Sequence, residues 1–367
     1  MNSHLNYIRD AATYIIKGFC SIMRPWNAAA YSEIALPTQE YKYELPINYD
    51  TLSKEFAQQY VQELIIEPPK IFRLANVYAT WHGMVFKNLR IFIPSLQSPS
   101  MAAGFQEPIL LKQWLGSPRE INGHTRVAII HSQFGPENYF HWMVDSLQRL
   151  ILLKQYYPEI PIMVLDPMTE FVAKTIEVLE ITNIVRVSKN EVLQIKELII
   201  PQHVAPLGHA NPLLVRLVRD EIMKLGERSI LPHRKIFVSR DKQKSRRINN
   251  QKEINHVLNK HGYETVYFEG MSIQQQIQTI QEAAVLVSVH GANFVNIIFM
   301  NSGATVIELT SEALHSPIYW RLSSIFALNY YVLPCVSTVK EEISYHSDAD
   351  INVDKFKLEE LLNLVNN

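Results

Sequence analysis

Short apolar runs alternate with amphipathic stretches in two parts of this chain. In the first part, Val127–Ile130 and Ile160–Leu165 have the pattern of strands, and Tyr139–Gln155 between them has that of a helix. The second part begins with a strand pattern at Lys235–Ser239 and continues the alternation to Thr305–Leu309. Alternating strands and helices predict a sheet covered by helices, and strands with few polar residues are typical of parallel sheets. The pattern therefore predicts an α/β fold.

The remaining stretches predict the domain organisation. Residues 1–24 have apolar side chains at helical spacing and predict an amphipathic helix. Its polar face is short of Lys and Arg, which favours packing on the protein over binding to a membrane surface. Residues 25–125 are interrupted by prolines and predict irregular structure with extra strands, and alternation at Asn76–Ala79 and Leu89–Ile93 predicts short strands or hairpins there. A break near 226–234 predicts an N-terminal domain over 1–228, a C-terminal domain over 229–340 and a terminal helical segment over 341–367.

Composition narrows the possible functions. The 367 residues are 47% hydrophobic and 19% charged, which is enough for two packed domains. A net charge of −1 gives no electrostatic support for nucleic-acid binding. The two cysteines, Cys20 and Cys335, suit a reducing compartment. No run of about 18 apolar residues and no signal-peptide pattern occurs, so we expect a cytoplasmic protein.

The strongest local signal is a strand that runs directly into a turn of small residues. Val285–Val289 has the pattern of a buried strand, His290, Gly291 and Ala292 follow it, and a helical pattern begins at Asn293. Such a turn directs backbone N–H groups to one point, where a phosphate group binds well. The structural alternative is a tight turn around a buried histidine. We favour a phosphate site to which His290 adds a hydrogen bond.

Two further segments end strands with polar residues. Ser239 and Arg240 close the strand before a basic loop that reaches Arg247, and a guanidinium matches phosphate with two hydrogen bonds. Glu308 lies near the end of another strand, where a carboxylate can accept hydrogen bonds from ribose. An exposed loop and an exposed edge residue are the structural alternatives. Beside a second phosphate site, however, these residues indicate a binding crevice.

A third constellation lies on one predicted helix. His141, Asp145 and Arg149 recur every four residues after Asn138 and therefore line one face. A carboxylate can orient an imidazole and stabilise its charged form, so His141 and Asp145 can act as a general base. The alternative is an ion-pair ladder. Because the positions between these residues are apolar, the helix is expected to be buried, and a buried ladder of charges favours function.

A metal site has little support. Asp348-Ala-Asp350 has the form of a metal-binding Asp-x-Asp, but it lies just before the terminal helix, where Asp is a common cap. His141 and Asp145 have no identifiable third ligand. We therefore expect no metal.

Taken in order, these segments resemble glycosyltransferase family 61. The sequence has NYFHWMVDSLQRL at 138–150, FVSR at 237–240, RRINNQKEI at 246–254, HGANFVN at 290–296 and VIEL at 306–309. The likeness covers about 125 to 340 in the order of the family. The chain departs from the family at three positions: Gln148 replaces Pro, Gln251 replaces Glu and Asn293 replaces a common Gly. The loss of a charge at 251 leaves the role of that position open.

The resemblance implies a GT-B fold, in which two Rossmann-like domains with parallel sheets face each other across a cleft. It also implies an inverting, metal-independent transferase with a nucleotide-diphosphate donor, a UDP-sugar in the characterised eukaryotic members, and no other cofactor. Bacterial relatives are linked to capsular and other surface polysaccharides. The chain resembles that cytoplasmic type, for which we expect a carbohydrate or lipid-linked glycan acceptor and peripheral association with the inner membrane.

The residues receive roles on this basis. His141 and Asp145 are the expected catalytic pair, with Asp145 alone as the competing base, and Asn138 and Arg149 are expected to contact the acceptor or an anion. Two alternatives stay open: a GT-B epimerase-like enzyme that releases free sugar, and a non-catalytic protein that binds glycan. The expected donor-binding residues are Ser239, Arg240, Arg247, Asn250, His290, Gly291, Ala292, Asn293, Asn296 and Glu308.

Overall fold

The computed structural model describes most of the chain. The described residues are 24–26, 31–34, 36–88, 90–98, 118–226, 231–313, 316–337 and 349–366, with the backbone alone for the first two ranges. The helix expected at 1–24 lies outside them apart from Arg24, and so do Cys20 and Asp348. Within these ranges, no helix has the length and apolar character to cross a bilayer.

Strands and helices are numbered along the chain. The strands are β1 Arg24–Trp26, β2 Tyr31–Ile34, β3 Gln39–Lys42, β4 Glu63–Ile66, β5 Lys70–Thr80, β6 Val85–Lys87, β7 Arg90–Phe92, β8 Arg119–Glu120, β9 Arg126–Ala128, β10 Ile162–Asp166, β11 Ile184–Ser188, β12 Val192–Pro201, β13 Arg234–Val238, β14 Glu264–Val266, β15 Ala283–Val289, β16 Thr305–Ser311, β17 Asn329–Ser337 and β18 Ile351–Asn352. The helices are α1 Lys54–Ala57, α2 Tyr139–His141, α3 Leu147–Tyr156, α4 Glu170–Val178, α5 Pro212–Ile222, α6 Gln251–Lys260, α7 Ile273–Gln281, α8 Ile318–Ile325 and α9 Lys355–Asn366.

The described residues form two compact units. The first unit contains the described residues of Met1–Gln39 and Ile66–Leu207. The second unit contains Glu40–Ile65 and the described residues of Gly208–Asn367. The chain therefore divides about twenty residues before the boundary expected near 228, and one segment from the expected N-terminal domain joins the C-terminal unit.

Hydrogen bonds explain this division. In α5, Arg216 donates to the carbonyl of Ile325 at 2.8 Å, so this helix belongs with the C-terminal residues. Ahead of it in the chain, the side-chain amide of Asn48 donates to the carbonyl of Val332 and accepts from its N–H. Asn48 thus continues the pairing of β17, which places the segment Glu40–Ile65 in the second unit.

The first unit is built on a mixed sheet. Its order across the described strands is β1-β7-β6-β5-β12-β9-β10-β11, with β2 and β8 pairing with β5 and β12. Strands β9 to β12 form parallel pairs, whereas β5 runs antiparallel to β12 and to β6, and β6 in turn runs antiparallel to β7. The sheet is therefore mixed, where a parallel sheet was expected, and its described antiparallel pairs all include β5 or β6. The alternation at Asn76–Ala79 predicted only part of β5, which lies in the segment where extra strands were expected between irregular stretches.

The second unit contains a six-stranded sheet among its described residues. Its order is β14-β13-β15-β16-β17-β18, and all pairs except β17–β18 are parallel. Buried Val287, Ile307 and Leu333 pack in one cluster with Leu258 of α6 and Leu361 of α9. The prediction of an α/β fold is confirmed, since the apolar strands are covered by helices.

Candidate active site

Two neighbouring strands of the second unit end at a point where the chain reverses its direction across the sheet. From β13 the chain passes to β14 on one side, then crosses back to β15 and continues to β16. Such a reversal leaves a crevice beyond the carboxyl ends of β13 and β15, and open α/β sheets bind ligands there. Ser239 and Arg240 follow β13, and His290 and Gly291 follow β15.

Arg240 lies against the backbone of Gly291. A Cβ atom at position 291 would stand 2.2 Å from Nη1 of Arg240 and 2.7 Å from its Cζ. The φ angle of Gly291 is 176°, which any residue adopts, so space and not backbone conformation requires glycine here. The hydroxyl of Ser239 accepts the N–H of Asp241 at 3.2 Å and so shapes the turn that carries Arg240.

Glu308 orients His290. The Nδ1 atom of His290 lies 2.5 Å from Oε1 of Glu308, and Tyr330 donates its hydroxyl to the other carboxylate oxygen. Glu308 is fully buried, whereas 18% of the His290 side chain is exposed. A carboxylate that accepts from Nδ1 fixes the ring and its tautomer and leaves Nε2 for a ligand. β16 continues to Ser311, so Glu308 lies within the strand and is buried. The sequence had predicted that Glu308 lies near the strand end and contacts ribose.

Two tyrosines extend this network inward from Glu308. Burial raises the pKa of Tyr330 well above its usual value, and the charge of Glu308 adds to the effect. Burial also raises the pKa of Tyr60, again with a contribution from Glu308, and the two hydroxyls are hydrogen-bonded to each other. Both phenols therefore stay protonated, and Tyr330 serves as a permanent donor to the carboxylate.

Tyr319 supports the turn from the other side. Its hydroxyl donates to the carbonyl of Gly291 at 2.5 Å, and its ring packs edge-on against His290 with centroids 5.0 Å apart. Burial raises the pKa of Tyr319 and Glu308 adds to this, while the positive charges of Arg246 and Arg240 oppose it. Two guanidinium groups therefore act on the same tyrosine, and Arg246 was not among the residues predicted for the site.

The turn continues into a 3₁₀ helix over Ala292–Phe299. The first N–H groups of a helix have no acceptor within it, so the amides of Ala292 and Asn293 provide donors at this end. Asn296 lies deeper: its side chain is buried, and its amide donates to Gln276 at 2.9 Å. Asn296 thus ties the 3₁₀ helix to α7.

Arg247 and Asn250 bind the returning C-terminal segment. Arg247 forms an ion pair with Asp350 at 2.8 Å, and Asn250 donates to the carbonyl of Val353 and accepts from its N–H. Burial alone would raise the pKa of Asp350, but the hydrogen bonds and charge of Arg247 outweigh burial and lower it. Asp350 therefore has a structural partner, in keeping with its interpretation as structural.

In the first unit, His141 and Asp145 form a close pair. The Nδ1 atom of His141 lies 2.6 Å from Oδ2 of Asp145, and the two side chains are 11% and 13% exposed. The ring of Phe134 stacks on His141 at 5.0 Å, and Asn138 caps the helix by accepting the N–H of His141. The low exposure of the pair strengthens its electrostatic interaction, and the stacked ring restrains the imidazole.

Arg149 does not form a surface ladder of ion pairs with His141 and Asp145. A π-helical turn over Trp142–Ser146 widens the helix between α2 and α3 and so changes the face on which later residues lie. Arg149 is fully buried and donates through Nε and Nη2 to the carbonyl of Pro201 at 2.9 and 2.6 Å. Burial lowers the pKa of Arg149 to about 9 and the charge of Asp145 opposes this, so the guanidinium stays charged at neutral pH.

One contact to the pair had no signal in the sequence. The side-chain amide of Gln97 lies 2.5 Å from Oδ2 of Asp145 and 3.2 Å from Nδ1 of His141.

His203 interacts with the same group of residues. Burial lowers its pKa well below the usual value, and the charges of Arg149 and His141 add to the effect. Within the described residues, no group of three or more His, Cys, Asp or Glu side chains has the arrangement of a metal site.

The described residues thus combine an α/β fold, Arg240 beside the His290–Gly291 turn at a switch point, and a separate His141–Asp145 pair. Comparison with known proteins indicates the class of protein. Residues 139–307, just under half of the chain, match the family model for Glycosyltransferase 61. This match supports a glycosyltransferase of family 61, and it spans His141, Asp145, Arg240 and His290.

A curated relative points to the same class. The chain is 32% identical over 87 residues to protein O-linked-mannose beta-1,4-N-acetylglucosaminyltransferase 2 of Takifugu rubripes. The aligned stretch covers 23% of this chain and only 15% of the relative's length.

Proposed function

We propose that the protein is an inverting, metal-independent glycosyltransferase that moves a sugar from a UDP-sugar to a carbohydrate hydroxyl. The observation that carries the proposal is the packing of the Arg240 guanidinium on Gly291, beside a histidine that a buried carboxylate orients. A cation and an oriented imidazole at the switch-point crevice support the binding of a diphosphate group there.

The donor diphosphate would bind at this crevice. Arg240 and Nε2 of His290 would bind its oxygens together with the amides of Ala292 and Asn293, and Arg246 would add a second positive charge. When the bond between the anomeric carbon and the diphosphate oxygen breaks, negative charge develops on the leaving group. Fixed cations and N–H donors stabilise that charge, which a metal ion does in other transferases. Glu308 would act through His290.

The acceptor hydroxyl would be activated by the histidine–aspartate pair. Its oxygen would attack the anomeric carbon from the face opposite the leaving group, which inverts the configuration, while its proton passes to the base. His141 is the better candidate for the base, because Oδ2 of Asp145 already accepts from Nδ1 of His141 and from Gln97. Asp145 alone remains the competing base.

The donor sugar and the biological setting belong to the proposal as well. The name of the Takifugu relative indicates N-acetylglucosamine as the first sugar to try. A role in surface polysaccharide or capsule synthesis on a glycan acceptor, in the cytoplasm and peripheral to the inner membrane, rests on the family resemblance alone.

Donor binding is tested by calorimetry with UDP. We expect Arg240→Lys to weaken UDP binding by about tenfold or more, because lysine keeps the charge but loses the two-pronged contact with phosphate. Arg73→Lys is the matched control, since Arg73 is 58% exposed in a surface ion pair of the first unit. If the wild-type protein binds none of UDP, GDP, CMP and dTDP, the proposal is wrong.

Transfer is tested with a panel of UDP-sugars, UDP-N-acetylglucosamine first, and glycan acceptors. Asp145→Asn is expected to lower turnover by about 10²-fold or more with little change in the affinity for UDP, because the substitution removes the carboxylate that orients the base. Unchanged turnover would remove Asp145 from the mechanism, and release of free sugar without an acceptor would favour an epimerase-like enzyme.

A further inference from the structure

The His141–Asp145 pair has a third member from a segment that carries none of the family motifs. Gln97 follows the 3₁₀ helix Ile93–Ser95 and lies well ahead of residue 139, where the family match begins. Its Nε2 atom is 2.5 Å from Oδ2 of Asp145, the same oxygen that lies 2.6 Å from Nδ1 of His141. One carboxylate oxygen therefore receives two donors.

The chemistry of these groups fixes the orientation of the amide. An ionised carboxylate only accepts hydrogen bonds, so the NH₂ group of Gln97 must face Asp145. The other end agrees with this, because the hydroxyl of Ser132 lies 3.4 Å from Oε1 of Gln97, where it can donate. The 3.2 Å separation between Nε2 of Gln97 and Nδ1 of His141 is then a contact between two donors that share an acceptor.

We propose that Gln97 is a positioning residue for this pair. Its amide and the Nδ1–H of His141 share Oδ2 of Asp145, which holds the carboxylate in the plane of the imidazole and leaves Nε2 of His141 as the proton acceptor. The consequence for transfer rests on the proposed function, whereas the effect on the histidine tautomer does not.

The surroundings of the pair make this contact important. Asp145 pairs with His141, Arg149 on α3 interacts electrostatically with Asp145, and His203 after β12 interacts electrostatically with His141. Arg149 is committed to the carbonyl of Pro201 and does not donate to Asp145 in a direct ion pair. Gln97 is thus the neutral donor that keeps the rotamer of Asp145 in place beside the ring.

The kinetic experiment compares two substitutions at Gln97 with one control. Gln97→Met keeps the length of the side chain and removes the donor. We expect kcat to fall by about 10- to 100-fold with the KM for the donor sugar changed less than twofold, since a small displacement of a catalytic group has effects of this size. Gln194→Met, at an exposed position on β12, is expected to leave both constants unchanged.

The charge experiment uses Gln97→Glu. A second carboxylate beside Asp145 stabilises the protonated imidazole, so the acid limb of the pH profile of kcat/KM is expected to move to higher pH by about one unit. An unmoved limb in a folded Gln97→Glu protein would show that residue 97 does not act on the pair. Gln194→Glu carries the same change of charge at an exposed position and serves as the control.

A spectroscopic readout keeps the inference testable without activity. With ¹⁵N-labelled histidine, two-bond ¹H–¹⁵N spectra report which ring nitrogen carries the proton, and loss of a signal in His141→Gln assigns His141. We expect the Nδ1–H tautomer in the wild-type protein and a mixture of tautomers in Gln97→Met. If Gln97→Met does not fold, Gln97→Asn, which shortens the side chain by one methylene, is measured instead.

The outcomes separate the two proposals. A change of tautomer in Gln97→Met, together with no transfer by the wild-type protein from any nucleotide sugar, supports the positioning role and contradicts the proposed function. Unchanged tautomer, kcat and pH profile in a folded Gln97→Met protein overturn the positioning role and leave the proposed function standing.

Discussion

At the residue scale, the absence of one side chain at position 291 shapes the candidate donor site. Gly291 is extended, so its backbone does not require glycine, yet a Cβ atom there would overlap the guanidinium of Arg240. The clash involves the far end of a flexible side chain, which can move without disturbing the fold. Gly291 is therefore expected to matter for ligand binding and not for stability.

We predict that Gly291→Ala weakens UDP binding by about tenfold or more, because Arg240 must leave its position on the turn. Calorimetry measures the affinity, and thermal unfolding checks that the melting temperature is little changed. The control is a double-mutant cycle with Arg240→Ala. In the Arg240→Ala background, Gly291→Ala should cost no further affinity, and an equal loss in both backgrounds would contradict the prediction.

At the element scale, the start of α6 is joined to the C-terminal segment. Asn250, which the family resemblance offered as a donor-binding residue, exchanges two hydrogen bonds with the backbone of Val353. Lys355 at the start of α9 pairs with Glu253 on α6 at 2.7 Å. These contacts attach the segment that carries β18 and α9 to the start of α6 and give Asn250 a structural role.

Asn250→Ala is expected to lower the free energy of unfolding by about 1–3 kcal/mol, because it leaves partly buried backbone groups of Val353 without partners. Urea unfolding measures this loss, and calorimetry should show an unchanged affinity for UDP. Asn259→Ala, at an exposed position on the same helix, is the control and should change stability by less than about 0.5 kcal/mol. A loss of UDP affinity without a loss of stability would instead show that Asn250 binds the donor.

At the scale of the whole molecule, buried histidines couple stability to pH. Burial lowers the pKa of His131 to about 4, with smaller contributions from the charges of Arg149 and His82, while the hydrogen bond to the carbonyl of Trp81 opposes the shift. Burial also lowers the pKa of His209 to about 4 in the other unit. Both side chains are neutral in the folded protein at neutral pH.

Stability should therefore fall as the pH is lowered from about 6.5 towards 4. In that window the unfolded chain binds protons that the folded protein does not, so the free energy of unfolding rises with pH and is lost on acidification. For fully buried His131 the loss amounts to roughly 3 kcal/mol by pH 4, of which about 2 kcal/mol is reached at pH 5.0. Urea unfolding at pH 7.5 and 5.0 measures it, and His131→Gln should reduce the difference while exposed His124→Gln should not. An equal difference in all three proteins would contradict this assignment.

Much of the fold follows from local pattern. Apolar runs such as Val285–Val289 form buried strands, and Ser272 and Gln275, three residues apart, form a capping box at the start of α7. Helix and strand preferences depend on neighbours within a few residues, so the order of elements in both α/β parts was predictable. The sequence predicted only part of the long β5, since its partner strand β12 lies more than a hundred residues further along the chain.

The sequence by itself determined which residues could carry chemistry, because the turn after β15 and the His141–Asp145 spacing are local features. Only the tertiary structure decided how each is used. The register of β16 beside β15 buries Glu308 under His290, and the return of residues 349–353 engages Arg247 and Asn250. Gln97 shows no periodicity or motif that marks it. Hydrogen-bond partners depend on which distant segments are buried together, and that choice is made by packing of the whole chain.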